Sequence, residues 1–151
     1  MFERVLILCT GNICRSPMAA GLLEDAARVN NKKGLKVDSA GLAALIDRPA
    51  DPIAITLMAE RGIDIRNHRA VQADAALLRG YPLILTMERR QQQFVENSWP
   101  ALHGRVFRWG EWQDFDVPDP YGQDEAAFRE ALRMIDQGLD TWKQKLGVDA
   151  T

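Results

Sequence analysis

With 151 residues, 46% of them hydrophobic and 26% charged, the chain is long enough for one well-packed domain over residues 1–151 and too short for two ordinary ones. Its formal net charge of −2, with no basic tail or Lys/Arg block, argues against nucleic acid, whose binding rests on positive charge. No apolar run approaches membrane-spanning length. The opening Met1-Phe2-Glu3-Arg4 leads into only four clearly apolar residues, too few for a signal-peptide core, so a cytoplasmic location is expected.

The run Val5-Leu6-Ile7-Leu8 reads as a strand buried on both faces, as in a parallel sheet. From Pro17 to about Arg28, residues Met18, Leu22, Leu23, Ala26 and Ala27 form a helical stripe, with Ser16 as N-cap and Pro17 at the first helical position. Leu35 to Ser39 alternates as a second strand, and Gly41 to Pro49 is a loop. Asp51 and Pro52 cap a helix that runs through Arg61 and stops at Gly62. A short helix from Val71 to Arg79 ends at Gly80, Leu83 to Met87 is a third strand, and Glu88 to Glu96 is helical. Val106 to Trp109 is a fourth strand, followed by a loop to Tyr121. In the last helix Phe128, Leu132, Ile135, Leu139, Trp142 and Leu146 recur at spacings of four and three. The alternation predicts an α/β fold: a four-stranded parallel sheet flanked by helices on both faces, with a ligand loop at the carboxyl end of the first strand.

That loop is Cys9-Thr10-Gly11-Asn12-Ile13-Cys14-Arg15-Ser16-Pro17. A thiol and a guanidinium separated by five residues, wrapped around the first turn of a helix, can surround a tetrahedral oxyanion. The amides of Thr10 to Ser16 point inward, the helix dipole favours negative charge, and Arg15 offers a two-pronged donor. The same field favours a thiolate over a thiol. An anion cradle with a thiolate in it points to attack on a phosphate ester. The two cysteines, Cys9 and Cys14, suit neither a disulfide framework nor a zinc site, and no metal or organic cofactor is expected.

Breaking a phosphate ester leaves an alkoxide or phenoxide that needs a proton, so a carboxylic acid should face the nucleophile. Of the two Asp-Pro pairs, Asp51-Pro52 is explained by helix capping. Asp119-Pro120 lies in a proline-braced loop after the last strand and is the better acid. Cys14 is equally readable as a small buried apolar residue, and His68 as an ordinary surface or capping histidine.

These residues amount to a family resemblance. The whole chain resembles the low-molecular-weight protein tyrosine phosphatases: Val5 to Pro17 is similar to the family's phosphate loop and Asp119-Pro120-Tyr121 to its acid loop. Asp38 to Gly41, Pro49 to Pro52, Gly62 to Asp64 and His68-Arg69 also fall where the family has similar segments. The resemblance implies a nucleophilic Cys9, a phosphate-binding Arg15, and an Asp119 that protonates the leaving phenolate and later activates water. It implies that Ser16 donates to the Cys9 sulfur, and that Asn12, Ser39 and His68 hold the loop in shape. It also implies that Cys14 can trap Cys9 as a reversible disulfide.

One departure is informative. Leu45 stands where many members carry an aromatic residue beside the substrate ring, leaving Tyr121 as the main ring contact. With Leu there the chain is more similar to the bacterial branch tied to capsule and exopolysaccharide export, whose substrates are tyrosine autokinases. Tyr81-Pro82 replaces the acidic residue usual before the third strand, a position expected to touch the sheet. Two rivals are weighed against this reading. Arsenate reduction on the same fold needs further cysteines outside the loop, and none follows Cys14. A non-catalytic phosphotyrosine-binding module needs neither a thiol nor an acid.

Overall fold

Residues Val5 to Leu8 carry apolar side chains on both sides of the chain and are fully buried, as an interior position in a parallel sheet demands. In the computed structural model, which describes residues 2–32 and 34–149, they lie in strand β1 (Arg4–Cys9). Strands β2 (Lys36–Gly41), β3 (Leu83–Thr86) and β4 (Val106–Arg108) join it in the order β2-β1-β3-β4. Every neighbouring pair is parallel, with Val5 opposite Val37 and Leu83. Helices α1 (Arg15–Val29), α2 (Pro52–Ala59), α3 (Ala75–Arg79), α4 (Arg89–Ser98) and α5 (Glu125–Leu146) make the crossovers. The expected architecture is therefore the one observed.

Alternation along β1 divides the core. Val5 and Ile7 pack with Met18, Leu23, Phe128 and Trp142 on the α1 and α5 side, while Leu6 and Leu8 pack with Leu78 and Val95 on the other. Each such aliphatic side chain contributes about 1.5–3 kcal/mol on burial. The stripe Phe128, Leu132, Ile135, Leu139, Trp142 and Leu146 faces inward along α5 as its spacing predicts. There the Trp109 indole donates to the Ile135 carbonyl and the Trp142 indole to the Trp109 carbonyl, both at 2.8 Å. These bonds seat the start of the loop that carries Asp119.

Three local expectations are corrected. Helix α1 starts at Arg15 behind Cys14, with no side-chain cap, so Ser16 is not an N-cap. Its hydroxyl is held instead by Asn12 and faces the Cys9 sulfur. Pro17 is then the third helical residue, still within the turn whose N–H groups lack helical partners. Residues Val71 to Ala73 are extended: Gly41 N–H donates to the Val71 carbonyl and Ala73 N–H to the Gly41 carbonyl, a bridge to the edge of β2. The helix begins only at Ala75, where the Asp74 carboxylate accepts the Leu77 amide. Helix α2 ends at Ala59, and its expected last turn tightens into i→i+3 bonds from Arg61 and Gly62. Asp51 caps it through the Ile53 amide at 2.9 Å, with Pro52 at the first position. Tyr81 does touch the sheet, donating to Asp38 at 2.6 Å. Among the described residues no helix is long and apolar enough to cross a membrane.

Candidate active site

Strand β1 ends at Cys9, and the chain from there to Arg15 turns around its own amides. The loop's carbonyls face outward and are tied down by the next segment: Thr10, Gly11 and Ile13 accept from the amides of Ala43, Leu45 and Asp51 at 2.8–3.0 Å. Among the described residues, no backbone hydrogen bond is donated by residues 10–14, which leaves their N–H groups available to the cleft. Gly41 makes the close approach possible, since a Cβ there would lie 2.5 Å from the Thr10 carbonyl oxygen.

Asn12 is the knot of the loop. It sits at φ 60°, a left-handed conformation that Asn tolerates better than most side chains. Its Nδ2 donates to Ser16 Oγ at 2.8 Å and to Ser39 Oγ at 3.0 Å, while its Oδ1 accepts the Val71 amide at 2.9 Å. Its carbonyl lies 2.6 Å from His68 Nε2. A carbonyl only accepts, so His68 carries its proton on Nε2. Burial holds the His68 imidazolium form down despite that bond, and the ring braces the loop as a neutral donor. Because Ser16 Oγ accepts from Asn12, its own proton is free for Cys9 Sγ, 3.0 Å away.

Arg15 is almost wholly buried, at 1% exposure. Its Nη1 donates to Glu88 Oε2 at 2.6 Å and to the Val117 carbonyl at 2.8 Å. Nε and Nη2, the adjacent edge of the fork, have no hydrogen-bond acceptor among the described residues. Asp119 Oδ2 stands 3.5 Å from Nη2. A buried guanidinium with one edge fixed and the other unsatisfied can take a bidentate oxyanion.

Cys9, Arg15 and Asp119 line one cleft of about 120 Å³ with Thr10, Gly11, Ile13, Cys14, Ala43, Leu45 and Tyr121. Leu45 is half-buried and Tyr121 exposed on its rim. Asp119 lies on an Asx turn, its Oδ1 accepting the Tyr121 amide at 3.1 Å. Both cysteines are free and buried. Burial, with Asp51 and Cys9 nearby, pushes the Cys14 thiol far above the ordinary range, so Cys14 stays protonated while Cys9 faces the cradle. Ser39 and His68 do not line the cleft but a second, larger cavity of about 690 Å³.

The sequence reading missed Glu88, Gln91 and the carbonyl of Val117. Glu88 and Gln91 form a capping box at the start of α4. Gln91 accepts the amides of Met87 and Glu88 and donates to Thr10 Oγ1 at 3.1 Å. The Glu-x-x-Gln spacing after a strand was the available signal, and it marks a helix start before it marks a site.

Residues 4–151 match the family described as low molecular weight phosphotyrosine protein phosphatase. The chain belongs to this family. It is 45% identical over 146 residues to the probable low molecular weight protein-tyrosine-phosphatase EpsP of Ralstonia nicotianae, covering 97% of each chain. Among solved structures of the family, the tyrosine phosphatase Wzb of Escherichia coli K30 in complex with sulphate is 35% identical with a TM-score of 0.88, covering 97% of this chain and 99% of that one. Vibrio vulnificus Wzb in complex with benzylphosphonate matches at 35% identity and the same TM-score, over 96% and 99% of the chains. As a member of the low molecular weight phosphatase family, the protein is a protein-tyrosine phosphatase.

Proposed function

We propose that the protein hydrolyses phosphotyrosine through a phosphocysteine intermediate on Cys9. The observation that carries this reading is the unsatisfied Nε and Nη2 edge of Arg15 in the cleft that also holds Cys9 and Asp119. The Cys9 thiolate attacks phosphorus as the S–P bond forms and the bond to the tyrosine oxygen breaks. The developing charge is spread over Arg15 and the amides of residues 10–14, and the Asp119 carboxylic acid gives its proton to the departing phenolate. Asp119, now a carboxylate, takes a proton from water, whose oxygen attacks phosphorus and breaks the S–P bond. Phosphate leaves, and the Ser16 hydroxyl steadies the returning thiolate. In this reading Cys14 traps an oxidised Cys9 as a disulfide.

The substrate read for this site is a tyrosine-phosphorylated protein, specifically a bacterial tyrosine autokinase of polysaccharide production or export, met in the cytoplasm. Leu45 at the cleft supports it, because a wall without an aromatic ring contributes little stacking to a lone phosphotyrosine and leaves recognition to the surrounding peptide. The test is a pair of variants assayed by vanadate binding and aryl phosphate turnover. Cys9→Ser should keep oxyanion binding and abolish turnover, and Arg15→Ala should lose both. Turnover by Cys9→Ser above a trace would overturn the mechanism.

A further inference from the structure

The cavity of about 690 Å³ behind the phosphate loop is larger than the catalytic cleft, and the mechanism uses none of its open space. It is bounded by α1, by the segment 62–71 and by β2. Strand β2 is the outer strand of the sheet. Lys36 N–H donates to the Glu3 carbonyl and Leu42 N–H to the Cys9 carbonyl, so the even-numbered residues of β2 turn their backbone groups toward β1. The odd-numbered ones therefore face outward. Gly41 spends its outward pair on Val71 and Ala73. Val37 and Ser39, equally outward, have no backbone partner on that side among the described residues. Val37 belongs to the α1-side core, while Asp38 on the opposite face bonds Tyr81, yet both line this one cavity. The cavity therefore follows the strand's edge.

An unpaired edge of this kind is a template for another strand. The volume lies within the roughly 300–1,000 Å³ of ordinary ligand sites and suits a short extended peptide. Charge selects which peptide. The basic groups around the cavity are engaged: Arg28 pairs with Asp25, Arg66 with Asp64, and Arg69 donates to the carbonyls of Arg66 and His68. Glu24 and Asp38 have no Lys or Arg partner among the described residues. Partial desolvation and the nearby Asp38 push the Glu24 carboxyl above its ordinary range.

We infer that the edge of β2 docks an extended segment of a partner protein that pairs with the backbone of Val37 and Ser39 and brings a Lys or Arg side chain to Glu24 and Asp38. The docked segment lies beside Ser39 and His68, two of the residues that brace Asn12, and outside the catalytic cleft.

The test uses a fluorescein-labelled hexapeptide of alternating valine and lysine, capped at both ends, against the intact enzyme. Two control peptides carry glutamate for lysine, or N-methyl groups on alternate residues. Binding is read by anisotropy, and the amides of Val37 and Ser39 by hydrogen exchange. The Val/Lys peptide should saturate, slow exchange at both amides, and remain bound when inorganic phosphate fills the loop. Both controls should bind at least about tenfold more weakly. Val37→Pro removes one outward N–H without removing a bond to β1, since an edge strand tolerates proline where its N–H faces away from the sheet. It should cost binding about tenfold and leave aryl phosphate hydrolysis unchanged. Glu24→Gln should weaken the Val/Lys peptide alone. Should Val37→Pro fail to fold, the N-methyl peptide and the exchange data decide. Failure to saturate at millimolar peptide, equal binding of the N-methyl peptide, or displacement by phosphate would overturn the inference. So would a concentration-dependent dimer of the free enzyme that protects the same amides, which would assign the edge to a second copy. None of these results bears on the Cys9 mechanism, which is tested by turnover.

Discussion

Replacing Glu88 by Gln keeps an acceptor beside Arg15 Nη1 and removes the charge that offsets a buried guanidinium. Arg15 and Glu88 are 1% and 14% exposed, so the loss is felt in low dielectric. Removing one partner of a fully buried ion pair costs about 3–5 kcal/mol, and a hydrogen bond to a charged group is worth about 1.5–3 kcal/mol. Here Arg15 keeps the Val117 carbonyl at 2.8 Å and Asp119 at 3.5 Å. The expected cost is thus about 2 kcal/mol, which for a chain of this length lowers Tm by about 4–8 °C. A bound oxyanion supplies the missing negative charge on the other edge of the same guanidinium. The loss of Tm should therefore shrink to less than half in saturating phosphate, because the ligand stabilises the variant more than the parent. The assay is thermal unfolding of both proteins, followed by circular dichroism with and without phosphate. An equal drop in both conditions would refute the idea that Glu88 and the oxyanion share one charge.

Asp119→Asn should cut turnover of phenyl phosphate by about two to four orders of magnitude and far less for p-nitrophenyl phosphate, whereas Asp51→Asn should change neither much, since Asn caps a helix as well as Asp. The opposite pattern in steady-state kinetics would move the acid role to Asp51. Leu45→Trp should lower KM for small aryl phosphates several-fold, from stacking on the order of 0.5–1.5 kcal/mol; an unchanged KM would mean the side chain does not meet the ring. The His68 pKa is lowered in the fold from its ordinary 6.5, so the unfolded chain takes up that proton first and stability falls as pH drops below about 6.5. His68→Gln should flatten that part of the stability–pH profile in urea titrations, and an unaltered slope would exclude His68 as its source.

The sheet and its helices were legible because apolar spacing reports directly on burial. The run Val5 to Leu8 could satisfy nothing but an interior strand, and the stripe on α5 could face nothing but the core. The convergence of Cys9, Arg15 and Asp119 on one cleft was legible because all three follow the carboxyl ends of strands, where the parallel topology gathers them. Residues that act by reaching across the chain were not. Glu88 and Gln91 meet the phosphate loop from 73 and 81 positions away, and in sequence they read only as a helix start. Val71 to Ala73 reads as helix in sequence because a two-bond bridge to a strand edge leaves no periodic trace. Ser16 reads as a cap because Ser-Pro ordinarily is one, and only the positions of Asn12 and Cys9 redirect its hydroxyl.

The groups that brace the phosphate loop have an electrical consequence. Asn12, Ser16 and Ser39 are uncharged, and His68 is kept neutral by burial. These four side chains place no charge of their own against the loop, so they do not offset the field of its amides and Arg15. Conversion of Asn12 to Asp, a change of one amide to a carboxylate with almost no change in shape, would strip two donors from Ser16 and Ser39. It would also set a negative charge under a cradle meant for anions. Deamidation at this one position would thus weaken oxyanion binding and turnover together while leaving the Cys9 thiol chemically unmodified, so a count of free thiols would pass the aged protein as native.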